Sequence, residues 1–431
     1  MIRGLAIAIV MLAAPAVLRG QDTLRLSTLQ AAAISSDPRV QQSELLRSAT
    51  DLRQAVIGSE RLPRLSVNGW ASHQSDVTQP EFGVPGVTFP EFPKDRWQTT
   101  LDVEQPIYDA GDVARRRAVE QARHAESQAG VDVALYQLRS EVNSAFYSAF
   151  LLDKRSHEFQ ALVVDLDARL TAVRARVEAG AALGRDAAEI EAELVRAELR
   201  RDEARASRRA ALAILSELVG APVDTAAVLT LPEQAPELAA PSDPAALAAL
   251  RQRPEFEQLQ RSRFRLDKEA EATSVENRPR VFAFGQAGIG LPGLDQFRRS
   301  PDAFWQAGIR LEWRPWTWRS AGRTAAALRL EQDVLASEEA ALGRQLARAV
   351  ATDLEDISRL KATVADDERI VALRTEVERQ ARAQYDEGAI TTPEYVEART
   401  DVLEARLELE RHRVELAQAR SRYITTLGLT P

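Results

Sequence analysis

Residues able to do chemistry are sparse here and fall into no catalytic pattern. The chain has no cysteine, which excludes thiol catalysis, disulfides, Cys-based zinc sites and a lipid-modified N-terminal cysteine. Its four histidines, His73, His124, His157 and His412, lack metal-ligand spacing. Gly288-Ile-Gly-Leu-Pro-Gly293 has the form G-x-G-x-x-G and follows a strand pattern. Pro292 and the loop to Pro301 then lead into another strand, so no helix N-terminus is available for a pyrophosphate. No G-x-S-x-G, H-E-x-x-H or P-loop occurs. No enzyme and no cofactor are expected. The acidic residues that remain of interest are Glu394 and Glu397. Thr392-Pro393 reads as N-cap and first helical residue, and Glu394 falls in the first turn, where the helix dipole favours acid.

The elements around these residues are unusual. Trp97, Thr99, Leu101 and Val103 alternate with Gln98, Thr100, Asp102 and Glu104, the period of a strand with one apolar and one wet face. Ala303, Trp305, Ala307, Ile309, Leu311 and Trp313 alternate likewise with Gln306, Gly308, Arg310, Glu312 and Arg314. Strands are expected over about 64–73, 96–107, 280–291 and 302–315. After the second strand comes a helical seam, Val131, Leu135, Leu138, Val142, Ala145, Ala149 and Leu152, with alternating steps of four and three. A helix of about 65 residues would run roughly 100 Å at 1.5 Å per residue. All six tryptophans, Trp70, Trp97, Trp305, Trp313, Trp316 and Trp318, lie in or beside the strands, as an aromatic girdle at a lipid interface requires. Asp102, Glu104, Arg310 and Glu312 could not face hydrocarbon cheaply and are expected to line water. The strands approach the ~9–11 residues a tilted membrane strand needs. Four cannot close a wet-lumened barrel, for which about eight is the minimum. Several chains must therefore share one sheet.

The chain is organised twice over. Ser36-Asp-Pro38 is answered by Gln252-Arg-Pro254 and Arg61-Leu-Pro-Arg64 by Asn277-Arg-Pro-Arg280. Trp97 is answered by Trp305, Gly180 by Gly388 and Gly220 by Gly428. This order of prolines, strands and glycines marks a tandem repeat of helix, strand, strand, long helix, long helix. Residues 1–20 read as a secretory signal peptide, with Arg3 and an apolar run from Leu5 to Val17. The first repeat then spans 21–222, a proline-rich linker 223–243, and the second repeat 244–431. Ser75 to Asp95 is a long loop rich in Pro, Gly and Phe. No stretch of 18 apolar residues offers a membrane helix, so any crossing must be made by strands in a closed barrel. The formal charge of -8 argues against a nucleic-acid partner.

These features resemble the TolC-like outer-membrane efflux protein family. The joint Gln105-Pro-Ile-Tyr-Asp-Ala-Gly111 resembles its strand-to-helix sequence, and Ala179-Gly180 and Tyr385-Asp-Glu-Gly388 its helical tips. The resemblance covers about residues 24–430. It implies a mainly α fold with a small β part, four strands per chain contributing to a trimeric twelve-stranded β-barrel on a long α-helical barrel. It implies a passive homotrimeric conduit in the bacterial outer membrane with a periplasmic extension, exported by a signal peptide and not a lipoprotein. Its implied partners are outer-membrane lipid, a periplasmic adaptor and an inner-membrane pump of RND, ABC or MFS type. By the same resemblance Tyr385, Glu394 and Glu397 would constrict the inner end, each acid forming a ring of three that favours cations. Gly180, Gly184, Gly388 and Ile390 would lie at the adaptor contact. Ile390 stands where the family has a basic residue. The second joint, Pro315-Trp-Thr-Trp-Arg-Ser-Ala-Gly322, lacks the Asp and is longer, and Trp316 and Trp318 are expected instead to anchor it at the inner lipid interface. The competing reading is a soluble periplasmic coiled-coil scaffold or adaptor, which shares the helices but gives no reason for tryptophan-edged strands.

Overall fold

The structure is a computed structural model that describes residues 23–77, 93–232, 244–295 and 300–429. The expected signal peptide, most of the loop between the first two long strands and residues 233–243 of the expected linker lie outside these. In chain order the elements are β1 (Leu24–Arg25), α1 (Leu26–Ser36), α2 (Arg39–Ser59), β2 (Arg64–His73), β3 (Asp95–Tyr108), α3 (Asp112–Glu178), α4 (Gly184–Val219), β4 (Leu229–Thr230), α5 (Pro244–Leu250), α6 (Pro254–Thr273), β5 (Arg280–Leu291), β6 (Asp302–Glu312), α7 (Ser320–Asp386) and α8 (Thr392–Thr426). Helices α3 and α7 are each 67 residues long. The chain forms two compact units, and each draws on both halves of the sequence.

One unit comprises Ser43–Gly130 and Glu257–Glu339. Its centre is an antiparallel sheet in the order β2-β3-β5-β6. Ser66, Asp102, Gln286 and Gln306 stand in one row across it. Successive residues of a strand point to opposite faces, so this row fixes the wet face and its neighbours the apolar one. Among the described residues nothing covers the apolar face: Val67 is 73% exposed, Ile309 72% and Trp305 76%. Gly288 and Gly290 lie close to the backbone of β3, where a Cβ would meet the carbonyl oxygens of Thr99 at 2.5 Å and Trp97 at 3.0 Å. Strand packing accounts for two glycines of the G-x-G-x-x-G sequence. Strand β6 ends at Glu312 rather than at residue 315, because β5 begins at Arg280, the partner of Glu312. Beyond it the ladder has no second strand.

The other unit comprises the described residues within Met1–Gln42, Val131–Phe256 and Ala340–Pro431. Its largest core joins Leu26 and Leu29 of α1, Val142, Phe146 and Tyr147 of α3, and Leu212 and Leu215 of α4. The seam read from α3 points inward: Val131, Leu138, Val142, Ala145 and Ala149 are buried, and Leu135 and Leu152 half-buried. A second core gathers Phe256, Val350, Ile357, Leu360, Tyr423 and Ile424. Leu24 and Arg25 form a strand rather than the start of α1. They pair in parallel with Leu229 and Thr230, inside the stretch expected to be linker. Residues 223–232 are thus built into this unit, because Val223, Ala227 and Leu229 are apolar and buried.

Candidate functional site

The wet face of the sheet carries a continuous polar network. Asp102 accepts hydrogen bonds from Asn68 Nδ2 at 2.7 Å, Thr100 Oγ1 at 2.7 Å and Gln286 Nε2 at 2.6 Å. Gln306 donates to Gln286 at 2.5 Å, and Arg310 pairs with Glu104 at 2.8 Å. The four residues expected to line water thus share one face: Asp102, Glu104 and Arg310 in contacts between side chains of different strands, Glu312 in a pair with Arg314 at 3.0 Å. Arg310 also lies 5.2 Å over the Phe284 ring.

The tryptophans divide. Trp97 and Trp305 belong to the apolar face, and Trp313, just past β6, donates its indole N–H to Asn277 O at 3.1 Å. Trp70 does not: it stands opposite Gln98 and shares the face of Asp102. Its place in a lipid girdle is therefore corrected. The second strand's register, rather than the pattern inside β2, decides which way Trp70 points. Trp316 and Trp318 lie outside the strands and pack edge to face, 5.8 Å between centroids.

The two strand-to-helix joints have one backbone design. Ala110 and Gly111 have φ of 55° and 85°; Trp318 and Arg319 have 53° and 60°. Asp112 N–H donates to Asp109 O at 3.0 Å, and Ser320 N–H to Thr317 O at 2.9 Å. The second joint is therefore no longer than the first: Thr317 takes the place of Asp109 and Arg319 that of Gly111. In the first joint the Asp109 carboxylate accepts from the N–H groups of Gly111 at 3.0 Å and Val113 at 3.3 Å, and from Arg61. Burial acts to raise Asp109, and these donors outweigh it and hold the carboxyl below its usual range. Asp109 was visible in the joint sequence, but its task as anion of a backbone nest was not.

The helical tips are also built alike. Gly180 N–H donates to Val177 O and Ala181 N–H to Arg176 O; Gly388 N–H donates to Tyr385 O and Ala389 N–H to Gln384 O. This is the Schellman ending, with glycine at the left-handed position, φ 71° and 75°. Gly180, Gly184 and Gly388 are exposed and Ile390 is half-buried. Helix α8 is capped one residue earlier than expected. Thr391 is the N-cap, Thr392 is the first helical residue and Pro393 the second. Glu394 at the third position accepts from Thr391 N–H at 2.7 Å and Thr391 Oγ1 at 2.8 Å. Those donors hold its carboxyl below the usual range. Its counterpart Asp186 accepts from Leu183 N–H at 3.1 Å. Glu394 thus has a capping duty, and Glu397 one turn on has none.

Tyr385, Glu394 and Glu397 are not gathered into one contact. Tyr385 stacks on Tyr395, a fully buried residue that pattern reading missed. The far face of Tyr395 meets the Arg169 guanidinium at 4.3 Å, and Asp165 accepts from both Arg169 and Arg399 at 3.2 Å. Its signal was an aromatic at the fourth position of a helix, which sequence alone cannot distinguish from an exposed one. Glu397 lines a groove between α4 and α8 with Glu189, Glu193, Arg196, Asp401 and Glu404. Among the described residues no cluster of metal-ligating side chains occurs, and no helix is long and apolar enough to cross a membrane.

Residues 29–221 match the family model described as "Outer membrane efflux protein". No curated protein matches the sequence. Among solved structures, the chain is similar to CusC, which forms a transmembrane channel, with a TM-score of 0.72 and 14% identity over 94% of this chain and 92% of that one. It is similar to the outer membrane protein VceC of Vibrio cholerae, with a TM-score of 0.67 and 15% identity over 94% and 96%. It is also similar to the open state of the Neisseria gonorrhoeae outer membrane channel MtrE, with a TM-score of 0.66 and 17% identity over 94% and 89%. At these identities the structures establish a shared fold. Residues 29–221 thus carry the match to the outer membrane efflux protein model, and across nearly all of its length the chain has the fold of solved outer-membrane channels.

Proposed function

We propose that this protein is the outer-membrane channel of a tripartite efflux system, a passive conduit that works as a trimer with a periplasmic adaptor and an inner-membrane pump. One observation carries the reading. The sheet presents an uncovered apolar face on one side and a charged, hydrogen-bonded face on the other, and its edge strands β2 and β6 each have a single partner. In lipid an open edge leaves unsatisfied backbone groups, so the sheet must close on copies of itself. Three copies supply twelve strands, with the wet face inward.

The tips would meet the adaptor through the exposed turns at Gly180–Gly184 and Gly388–Ile390. Glu397, free of a capping duty, is the stronger aperture candidate. The test is reconstitution of the purified protein in planar bilayers. Trimers with discrete conductance steps are expected; a monomer that stays in detergent-free buffer and never conducts would contradict the assignment.

A further inference from the structure

The two joints share a backbone but differ in charge. At the first, the nest of N–H groups holds the Asp109 carboxylate, and α3 opens with Asp112 in its first turn. At the second, Thr317 replaces the carboxylate and α7 has no acid in its first turn. The Thr317 hydroxyl oxygen is buried without a hydrogen-bond partner, so the joint's own side chain does not fill the nest. Arg319 and Arg323 are added instead. They stand four residues apart at a helix N-terminus, where like charges repel and the dipole disfavours cations. Both are exposed, and neither has an ion pair among the described residues. Beside them Trp316 and Trp318 are 74% and 78% exposed. Two non-glycine residues are also held at positive φ, a conformation that costs about 1–2 kcal/mol per residue.

The second joint thus presents two cations where the first holds a carboxylate. We propose that the β6–α7 joint binds the phosphate of an anionic membrane lipid, Arg319 and Arg323 facing the phosphate and the Trp316 and Trp318 rings resting in the adjoining glycerol and upper acyl region. The inference rests on the outer-membrane reading. A soluble phosphate would need the arginines alone; the exposed rings are what single out a lipid, since indoles favour the membrane–water interface.

The test uses the full-length trimer in detergent, titrated with phosphatidylglycerol or phosphatidylcholine and examined by native mass spectrometry. The wild type is expected to retain phosphatidylglycerol preferentially. Arg319→Gly and Arg323→Gln should each weaken that retention about fivefold, the usual worth of one basic residue at an anionic surface. Arg319→Gly relieves the positive φ, so loss of folding cannot explain its effect. Thr317→Asp places a carboxylate where Asp109 sits in the first joint and should abolish the preference. Equal retention of the two lipids by the wild type, or unchanged preference in Thr317→Asp and Arg319→Gly, would overturn the proposal. So would complete displacement of the lipid by millimolar inorganic phosphate. Conductance in planar bilayers is measured on the same samples: normal conductance with no lipid preference removes this site alone, whereas absent trimers and absent conductance remove the channel reading and the site with it.

Discussion

Tyr385 lies face to face on Tyr395, ring centroids 5.0 Å apart and planes 20° from parallel. The pair closes the end of α7 onto the start of α8, and Arg169 of α3 caps its far side. Tyr395→Ala is expected to destabilise this end by about 3–5 kcal/mol, as removal of a buried aromatic ring does. Tyr395→Phe keeps the ring and loses only a long contact, 3.5 Å to Glu378, so it should cost less than about 1 kcal/mol. Thermal melting of the purified trimer should rank the two accordingly; equal melting temperatures would show that the stacked pair is not what holds the tip.

Glu394 and Glu397 are separable by pH and by substitution. Glu394 is bonded as a carboxylate and its pKa is lowered by Thr391. Its stabilisation is therefore complete above the usual carboxylate range and is lost as pH falls through the lowered folded value. Hydrogen exchange, corrected for intrinsic rates, should show the Thr391 amide, which donates to the Glu394 carboxylate, losing protection on acidification, and at neutral pH in Glu394→Ala. Glu397→Ala should leave that protection intact, raise single-channel conductance and weaken block by divalent cations. The reverse assignment of effects would exchange the two roles.

The sheet's faces make opposite demands. Ile309→Arg puts a charge on the apolar face and should cost about 2–4 kcal/mol if that residue lies near the bilayer midplane. Loss of outer-membrane assembly is the expected readout. Arg310→Gln, one residue along, breaks the 2.8 Å pair with Glu104 but stays on the wet face. Assembly should persist while ion selectivity shifts toward cations. If both variants assemble equally well, the apolar face is not in lipid.

Much of this was legible in the sequence because long, regular elements advertise their period. The alternation in β3 and β6 and the inward seam of α3 are such cases. The identical spacing of the two tips is another, carried by Gly180 and Gly388. Other features depend on relations between segments. Trp70 sits in a strand whose own pattern is weak, and its facing is decided by the register with β3. The pairing of Leu24 with Leu229 involves two-residue strands too short to show a period. The N-cap of α8 was a choice between two adjacent threonines, and the position of Glu394 three residues after Thr391 decides it. In the second joint, Pro315 stands one position past the equivalent of Pro106, and backbone conformation, not residue type, equates Arg319 with Gly111.

A closed sheet needs three copies of the chain, the β2 edge of each meeting the β6 edge of the next. The chain has no cysteine of its own, so cross-linking is clean. Single cysteines placed along β2 from Leu65 to Ala71 should be paired with single cysteines along β6 from Ala303 to Leu311, and oxidised in intact outer membranes. The account predicts that at least one pairing gives a ladder of covalent dimer and closed trimer on a denaturing gel, the β2 edge of one copy joined to the β6 edge of the next. Cross-links confined within single chains across every pairing would contradict it.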